Sequence, residues 1–408
     1  WSQTLGESAG IKPVSLHHVN KACESLALDL PSMKTLFPYE TVNSDGFFIN
    51  RNSMGFGMML MPMSGADESL MKSLAETFKN KLTQGTDCTV LLYKHPWLAS
   101  PLHQNFEPIL KRGGIFAELA RQSIKYHLNA IKNGYKNGRN IPATLSDYRC
   151  YLFVSRPNQP GVEDHLKLLR DDFESELKVA GFGFARCEQD DFKALMRALI
   201  SPNFNEYDWP AIDESPSFIG ETIANPTTVY EIGDEAINLS LSDDEGALQS
   251  TRIVNCELTS YPKKPFALWQ TPDLFANLLQ PEQGIQCPFL LSFTVRGVNQ
   301  EKMKARAKSR AKSLSANNNA VQSFINPGIK EEAAEWQFVH EYASRGELHL
   351  LPTFYNLVLY TTHAKEREHV AKAISSFRQM DFTLSQSRCK QWLRFLGSMP
   401  FMLTEGLF

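Results

Sequence analysis

Apolar and polar positions alternate along this chain with two different periods, and these periods predict its secondary structure. Short apolar stretches such as "DGFFINRNSMGFGMMLMPMSG" and "CTVLLYKHP" predict strands, with a hairpin turn at 51–53. In "VEDHLKLLRDDFESELKVAG" the apolar residues recur at helical spacing, as Leu166, Leu169, Phe173 and Leu177. The chain therefore alternates strands with amphipathic helices.

The same order of elements occurs twice. A hairpin, the strand "CTVLLYKHP", a basic helix, the strand "YRCYLFVSRP", a helix, the strand "FGFARC" and a helix form the first unit. The second unit repeats this order from residue 228, with "KEEAAEWQFVHEYASRG" as an added helix. We predict an α/β fold (mixed α+β) of two similar subdomains in tandem, each a mixed β-sheet with helices packed on it. Strand–helix–strand crossovers favour parallel neighbours, and the hairpin favours an antiparallel edge.

This repeat sets the expected domain limits. We predict an N-terminal arm at 1–35, a first subdomain at 36–203 and a second at 228–400. Residues 204–227 are rich in proline and acidic residues and are predicted to form a linker. Residues 401–408 are expected to begin a connector.

The composition is that of a soluble globular protein. Of 408 residues, 42% are hydrophobic and 21% are charged, and no apolar run approaches the roughly 20 residues that span a bilayer. Seven scattered cysteines without a CxxC pair indicate reduced thiols. The net charge of −3 gives no overall field that would attract nucleic acid.

The sequence lacks two motifs that bind nucleotides or metal ions. No Gly-Lys pair is present, so no phosphate-binding GxxxxGK[ST] loop exists. There is also no HExxH metal motif. The methionines of "MGFGMMLMPM" are interpreted as strand core, with an adaptable docking surface as the alternative.

Two basic helices are the candidate contact sites. The first, at 111–139, contributes Arg121, Lys125, Tyr126, Lys132 and Lys136. The second, at 302–312, contributes Lys302, Lys304, Arg306, Lys308 and Arg310. Such residues can bind nucleic-acid phosphates, and tyrosines can stack on bases. They can equally form a solvated helix face or a docking surface for an acidic protein. Basic residues at every second position of 302–312 spread the charge around the whole helix, which favours these two interpretations over nucleic-acid binding.

Several stretches together resemble a known family. "SDGFFINRNSMGFGMMLMPMSGADESLMKSLAETFKNKL" followed by "CTVLLYKHP" resembles the opening of the TraC-type ATPases of bacterial type IV secretion systems. "EEAAEWQ" and the closing "WLRFLGSMPFMLTEGL" are also similar to this family, so that the resemblance covers most of residues 36–408.

The resemblance implies a docking and assembly region that anchors a RecA-like motor to inner-membrane secretion subunits, for pilus assembly and conjugative DNA transfer. It implies a hexameric ATPase at the cytoplasmic face of the bacterial inner membrane, with ATP and Mg bound by the motor. This chain carries no Walker motif, so we expect it to bind no cofactor and to be inactive alone. The alternative is a nucleic-acid-binding module.

The chain ends suggest a piece of a longer protein. It opens on Trp1 and closes on the apolar segment "GSMPFMLTEGLF". Because apolar side chains are costly to leave in water, we expect this closing segment to pack against a following motor domain.

Overall fold

A computed structural model describes residues 33–61, 76–135, 144–204, 209, 218–225, 227–242, 248–262, 284–316 and 329–407. The strands are β1 Tyr39–Val42, β2 Phe48–Asn50, β3 Ser53–Leu60, β4 Asp87–His95, β5 Asp147–Pro157, β6 Phe184–Arg186, β7 Thr228–Ile232, β8 Ile237–Ser242, β9 Leu248–Ser260, β10 Phe289–Arg296, β11 Thr353–Thr361 and β12 Thr383–Gln386. The helices are α1 Met33–Leu36, α2 Ala99–Leu110, α3 Gly114–Asn133, α4 Val162–Val179, α5 Gln189–Ile200, α6 Ile219–Thr222, α7 Gln300–Ala316, α8 Ile329–Ser344, α9 Glu366–Arg378 and α10 Gln391–Gly397. A last helical turn covers Leu403–Leu407.

The described strands form one sheet of 12 strands. Its order is β1-β2-β3-β5-β4-β10-β11-β9-β8-β7, with β6 beside β3 and β12 beside β9. The order in the second half therefore mirrors that in the first, and β4 and β10 join the two halves. The mixed α+β fold class is confirmed. The predicted subdomain limits at 36–203 and 228–400 remain predictions.

The expectation of parallel neighbours is wrong, because every pairing between the described strands is antiparallel. The reason is the number of helices between paired strands. Strands β4 and β5 are connected by two packed helices, α2 and α3, and β10 and β11 are connected by α7 and α8. A pair of helices returns the chain to the end of the sheet that it left, so the next strand runs in the opposite direction. The sequence analysis missed α2.

Alternating side chains give the sheet two buried faces. On β4, Leu91 and Tyr93 face a core that α5 and α10 cover. On the same strand Cys88 faces the other side, where α4 covers the first half of the sheet. Helix α9 covers the second half on that side, with Phe377 in its core. The first core contains residues of both halves, such as Tyr93 and Tyr360. The two repeats therefore share one hydrophobic interior.

The apolar residues of the closing segment "GSMPFMLTEGLF" pack within this chain. This corrects the expectation that they pack against a following motor domain. Met399, Phe401 and Met402 are buried in the core that the two halves share. The Phe401 ring lies 5.4 Å from the Phe153 ring in an edge-to-face contact. Gly55 makes this possible, because a Cβ atom there would lie 2.6 Å from the Phe401 ring. The first half thus provides the pocket for the end of the second.

Several predictions fall outside the described residues. These are the arm at 1–32, the parts of the predicted 204–227 linker at 205–208, 210–217 and 226, and the residues Cys23, Met63 and Lys136. Among the described methionines Met58 is buried, as a core strand requires, whereas Met61 is 69% exposed. In the ranges that the structure describes, no helix is long and apolar enough to cross a membrane.

Candidate functional site

Helix α3 carries the first group of predicted contact residues. Arg121, Lys125 and Lys132 are exposed. Because they are four and seven residues apart, they lie on one face of the helix. The Arg121 Nη1 atom donates a hydrogen bond to Glu118 Oε2 at 3.1 Å, and both side chains are mostly exposed. The structure therefore shows a short basic stripe with one acidic residue at its beginning.

A second stripe on α3 is apolar, and the sequence analysis did not single it out. Ile115 is 71% exposed, Phe116 54% and Leu119 59%. Tyr126 continues this stripe and is 60% exposed, with its ring 5.6 Å from the Tyr135 ring. The signal in the sequence was the pair Ile115-Phe116, which falls outside the buried face of the helix.

Helix α7 carries the second predicted group, Lys302, Lys304, Arg306, Lys308 and Arg310. Two of these basic groups have acidic partners. Lys304 Nζ donates to Glu301 Oε1 at 2.9 Å, and Arg310 Nη2 donates to Glu332 Oε1 of α8 at 3.0 Å. A spacing of two residues places successive side chains on nearly opposite sides of a helix. The charges therefore flank the buried Ala307 on both sides.

The two basic helices belong to separate hairpins. Helix α3 packs on α2, and α7 packs on α8. Strand β4 leads into the first hairpin and β10 leads into the second. Because β4 and β10 are antiparallel, with Asp87 opposite Arg296, the two hairpins leave from opposite ends of this central pair. The structure does not combine the predicted residues into a single site.

A cleft of about 750 Å³ lies at the end of β4, between the two halves. Lys132 of α3 lines it together with Lys365 and His369. The Thr361 Oγ1 and His369 Nδ1 atoms are 2.7 Å apart, and burial lowers the pKa of His369. The cleft therefore presents polar and basic side chains at the junction of the two halves.

A second cleft, of about 430 Å³, lies at the opposite end of the β4–β10 pair and includes Lys302. Its other basic residue, Arg296, binds the Asp87 carboxylate through two hydrogen bonds of 2.7 Å. Arg296 Nη2 also donates to the Leu403 carbonyl at 2.9 Å, and Thr404 Oγ1 donates to Asp87 Oδ2 at 2.8 Å. The guanidinium group therefore holds the closing segment in place and is already neutralised.

Burial changes the pKa of several cysteine and histidine side chains in the described part of the chain. Burial raises the pKa of Cys150 to about 11 and that of Cys287 to about 12, so both thiols stay protonated at neutral pH. Burial lowers the pKa of His95, whose Nδ1 atom accepts a hydrogen bond from the Trp97 amide at 3.1 Å. Among the described residues no group of His, Cys, Asp and Glu is arranged to hold a metal ion.

The sequence matches a protein-family model and a known protein. The sequence model of the TraC protein family matches residues 33–403. The chain is also 24% identical, over 404 residues, to Protein TraC of Escherichia coli (strain K12). This match covers 95% of the chain but 45% of the Escherichia coli protein, so the chain spans less than half of that relative. Because the family model covers nearly all described residues, the chain belongs to the TraC protein family.

Proposed function

We propose that this chain is the amino-terminal docking and assembly region of a type IV secretion ATPase. Membership of the TraC family supports the broader part of this proposal, a role in conjugative type IV secretion. In the proposal the chain anchors a motor domain to inner-membrane secretion subunits at the cytoplasmic face. The complete protein forms a hexamer that energises pilus assembly and DNA transfer, and ATP and Mg bind to the motor.

One observation carries the docking role. The α2–α3 hairpin exposes Ile115, Phe116 and Leu119 to solvent. All three side chains are apolar, and each is more than half exposed. Scattered apolar residues on a surface are normal, but a group of this kind on one helix end is typical of a contact site. In the interior, in contrast, apolar side chains pack against one another in the three cores described above. The surface thus supports binding of partners.

Co-purification from membranes tests this proposal. The tagged chain is produced in cells that carry the other secretion genes, and inner membranes are solubilised in detergent without added nucleotide. We expect identified inner-membrane secretion subunits to co-purify with it. If none of them does so, the docking role is wrong. If the chain alone hydrolyses ATP, the assignment of ATP binding to another domain is wrong.

A nucleic-acid-binding module is the second candidate, because Arg121, Lys125 and Lys132 lie on one face of α3. The test is the binding of a labelled single-stranded oligonucleotide at increasing salt. Phosphate contacts predict an affinity that decreases steeply with salt and is reduced in Lys125→Glu and Lys132→Glu. Arg388→Glu is the control, because this exposed arginine lies far along the chain, beside Glu235. Salt-insensitive or absent binding would exclude this candidate.

A further inference from the structure

The end of the α2–α3 hairpin combines exposed apolar groups with positive charge. We define the hairpin tip as Lys111, Arg112, Ile115, Phe116 and Leu119. The loop at 111–113 connects α2 to α3, and Ile115 and Phe116 lie in the first turn of α3. A Cβ atom built at residue 113 or 114 would meet no atom within 4 Å. The backbone of the loop is therefore open to solvent at these two glycines.

Positive charge predominates around these apolar residues. Between residues 107 and 125 the hairpin carries four basic residues and two acidic ones, whereas the whole chain has a net charge of −3. Lys111 Nζ lies 2.8 Å from Glu107 Oε1, but the two side chains are 74% and 57% exposed. Arg112 is exposed in the loop itself. Exposed ion pairs contribute little free energy, so Lys111 can turn to another anion without appreciable loss.

The small apolar area of the tip favours a lipid surface as its direct contact. Stable protein interfaces bury roughly 800 Å² on each partner, with a closely packed centre. The three apolar side chains of the tip alone cannot supply that area, so a secretion subunit that docks here would have to contact more of the hairpin, including Tyr126. Binding to a bilayer requires no minimum contact area of this kind, because apolar side chains enter its interface individually. Nearby lysines and arginines bind anionic headgroups and contribute about 1 kcal/mol each.

We infer that the hairpin tip inserts into the interface of a membrane that contains anionic lipids. Ile115, Phe116 and Leu119 enter the boundary between headgroups and acyl chains, and Lys111 and Arg112 contact lipid phosphates. This inference deepens the proposed docking role and rests on it, because direct lipid contact would assist the secretion subunits in holding the chain at the membrane.

Vesicle flotation tests the inference with lipids alone. The purified chain is mixed with vesicles of phosphatidylcholine, or of an equimolar mixture of phosphatidylcholine and phosphatidylglycerol. We expect binding to the anionic vesicles that weakens with salt. In the double variant Ile115→Ser/Phe116→Ser the partition coefficient should decrease at least about tenfold, because burial of these side chains drives insertion. Arg112→Glu should weaken binding to the anionic vesicles specifically.

A matched control separates the tip from apolar exposure in general. Leu168 and Val179 of α4 are 69% and 82% exposed, whereas the apolar residues of the tip are 54–71% exposed. Leu168→Ser/Val179→Ser should leave vesicle binding unchanged. Equal losses in both double variants would overturn the inference. It would also be overturned if the wild type failed to float, or if Phe116→Ser abolished concentration-dependent self-association in place of lipid binding.

The two proposals can fail independently. A chain that co-purifies with secretion subunits but floats with neither vesicle contradicts the lipid contact and leaves the docking role standing. A chain that floats with anionic vesicles but captures no secretion subunit contradicts the docking role.

Discussion

Replacement of Arg296 by methionine should destabilise the whole fold, because this residue ties three parts of the chain together. The Asp87 carboxylate on β4 is only 3% exposed and receives two hydrogen bonds from Arg296 on β10. The same guanidinium group binds the Leu403 carbonyl, and Thr404 also donates to Asp87. Arg296→Met would leave a buried carboxylate without its cation.

The expected magnitude follows from the burial of the two partners. Removal of one partner from a buried ion pair costs about 3–5 kcal/mol. Because the Arg296 side chain is 36% exposed, water can partly replace it, and we expect about 3 kcal/mol. Asp87→Asn removes the charge that needs compensation, so the double variant should be more stable than additivity predicts, by about 2 kcal/mol.

Urea unfolding of the four proteins in this cycle measures the effect as a change in midpoint at constant slope. Arg388→Met is the control, because its pair with Glu235 at 3.4 Å is exposed on both sides, and we expect a loss below about 0.5 kcal/mol. The reasoning would be refuted if Arg296→Met lost no more stability than this control, or if the losses from Asp87→Asn and Arg296→Met simply added.

Three further predictions concern the interior. Burial lowers the pKa of Lys94 to about 8 from 10.5, so between these pH values the unfolded chain holds a proton that the folded chain has lost. The free energy of unfolding of the wild type should therefore increase by about 3 kcal/mol relative to that of Lys94→Met as the pH rises through this window. A difference between the two free energies that stays constant with pH in urea titrations would contradict this. Gly297→Ala would place a Cβ atom 2.1 Å from the Thr83 carbonyl oxygen, and we expect a thermal midpoint well below that of the wild type, with a loss of roughly 3 kcal/mol. Phe401→Ala should cost about 3 kcal/mol and expose the closing segment to limited proteolysis; an unchanged digestion pattern would show that the ring does not hold this segment.

Much of the fold could be predicted from short stretches of sequence. The spacing of Leu166, Leu169 and Phe173 identified α4 and its buried face, because residues three and four apart share one side of a helix. The short apolar run in "CTVLLYKHP" likewise identified β4. The tandem order of elements was visible because the strands and helices of both repeats can each be recognised from their own short stretch of sequence.

The candidate site was predictable only in part. Arg121, Lys125 and Lys132 are exposed as expected, since their charges and spacing are local properties. Their separation from the residues of α7 depends on the direction of β4 relative to β10, and no local pattern specifies this. The apolar tip was also missed, because Ile115 and Phe116 could have faced a partner within the chain.

The sequence by itself determined the elements, their order and the faces that must be buried. Only the tertiary structure decided how the two repeats combine. Asp87 and Arg296 are distant in sequence, and alternating apolar residues make many strands equally suitable as neighbours, so the β4–β10 pairing depends on packing of the whole chain. Likewise, the apolar character of Phe401 required burial, but only the space left by Gly55 decided that the first repeat buries it.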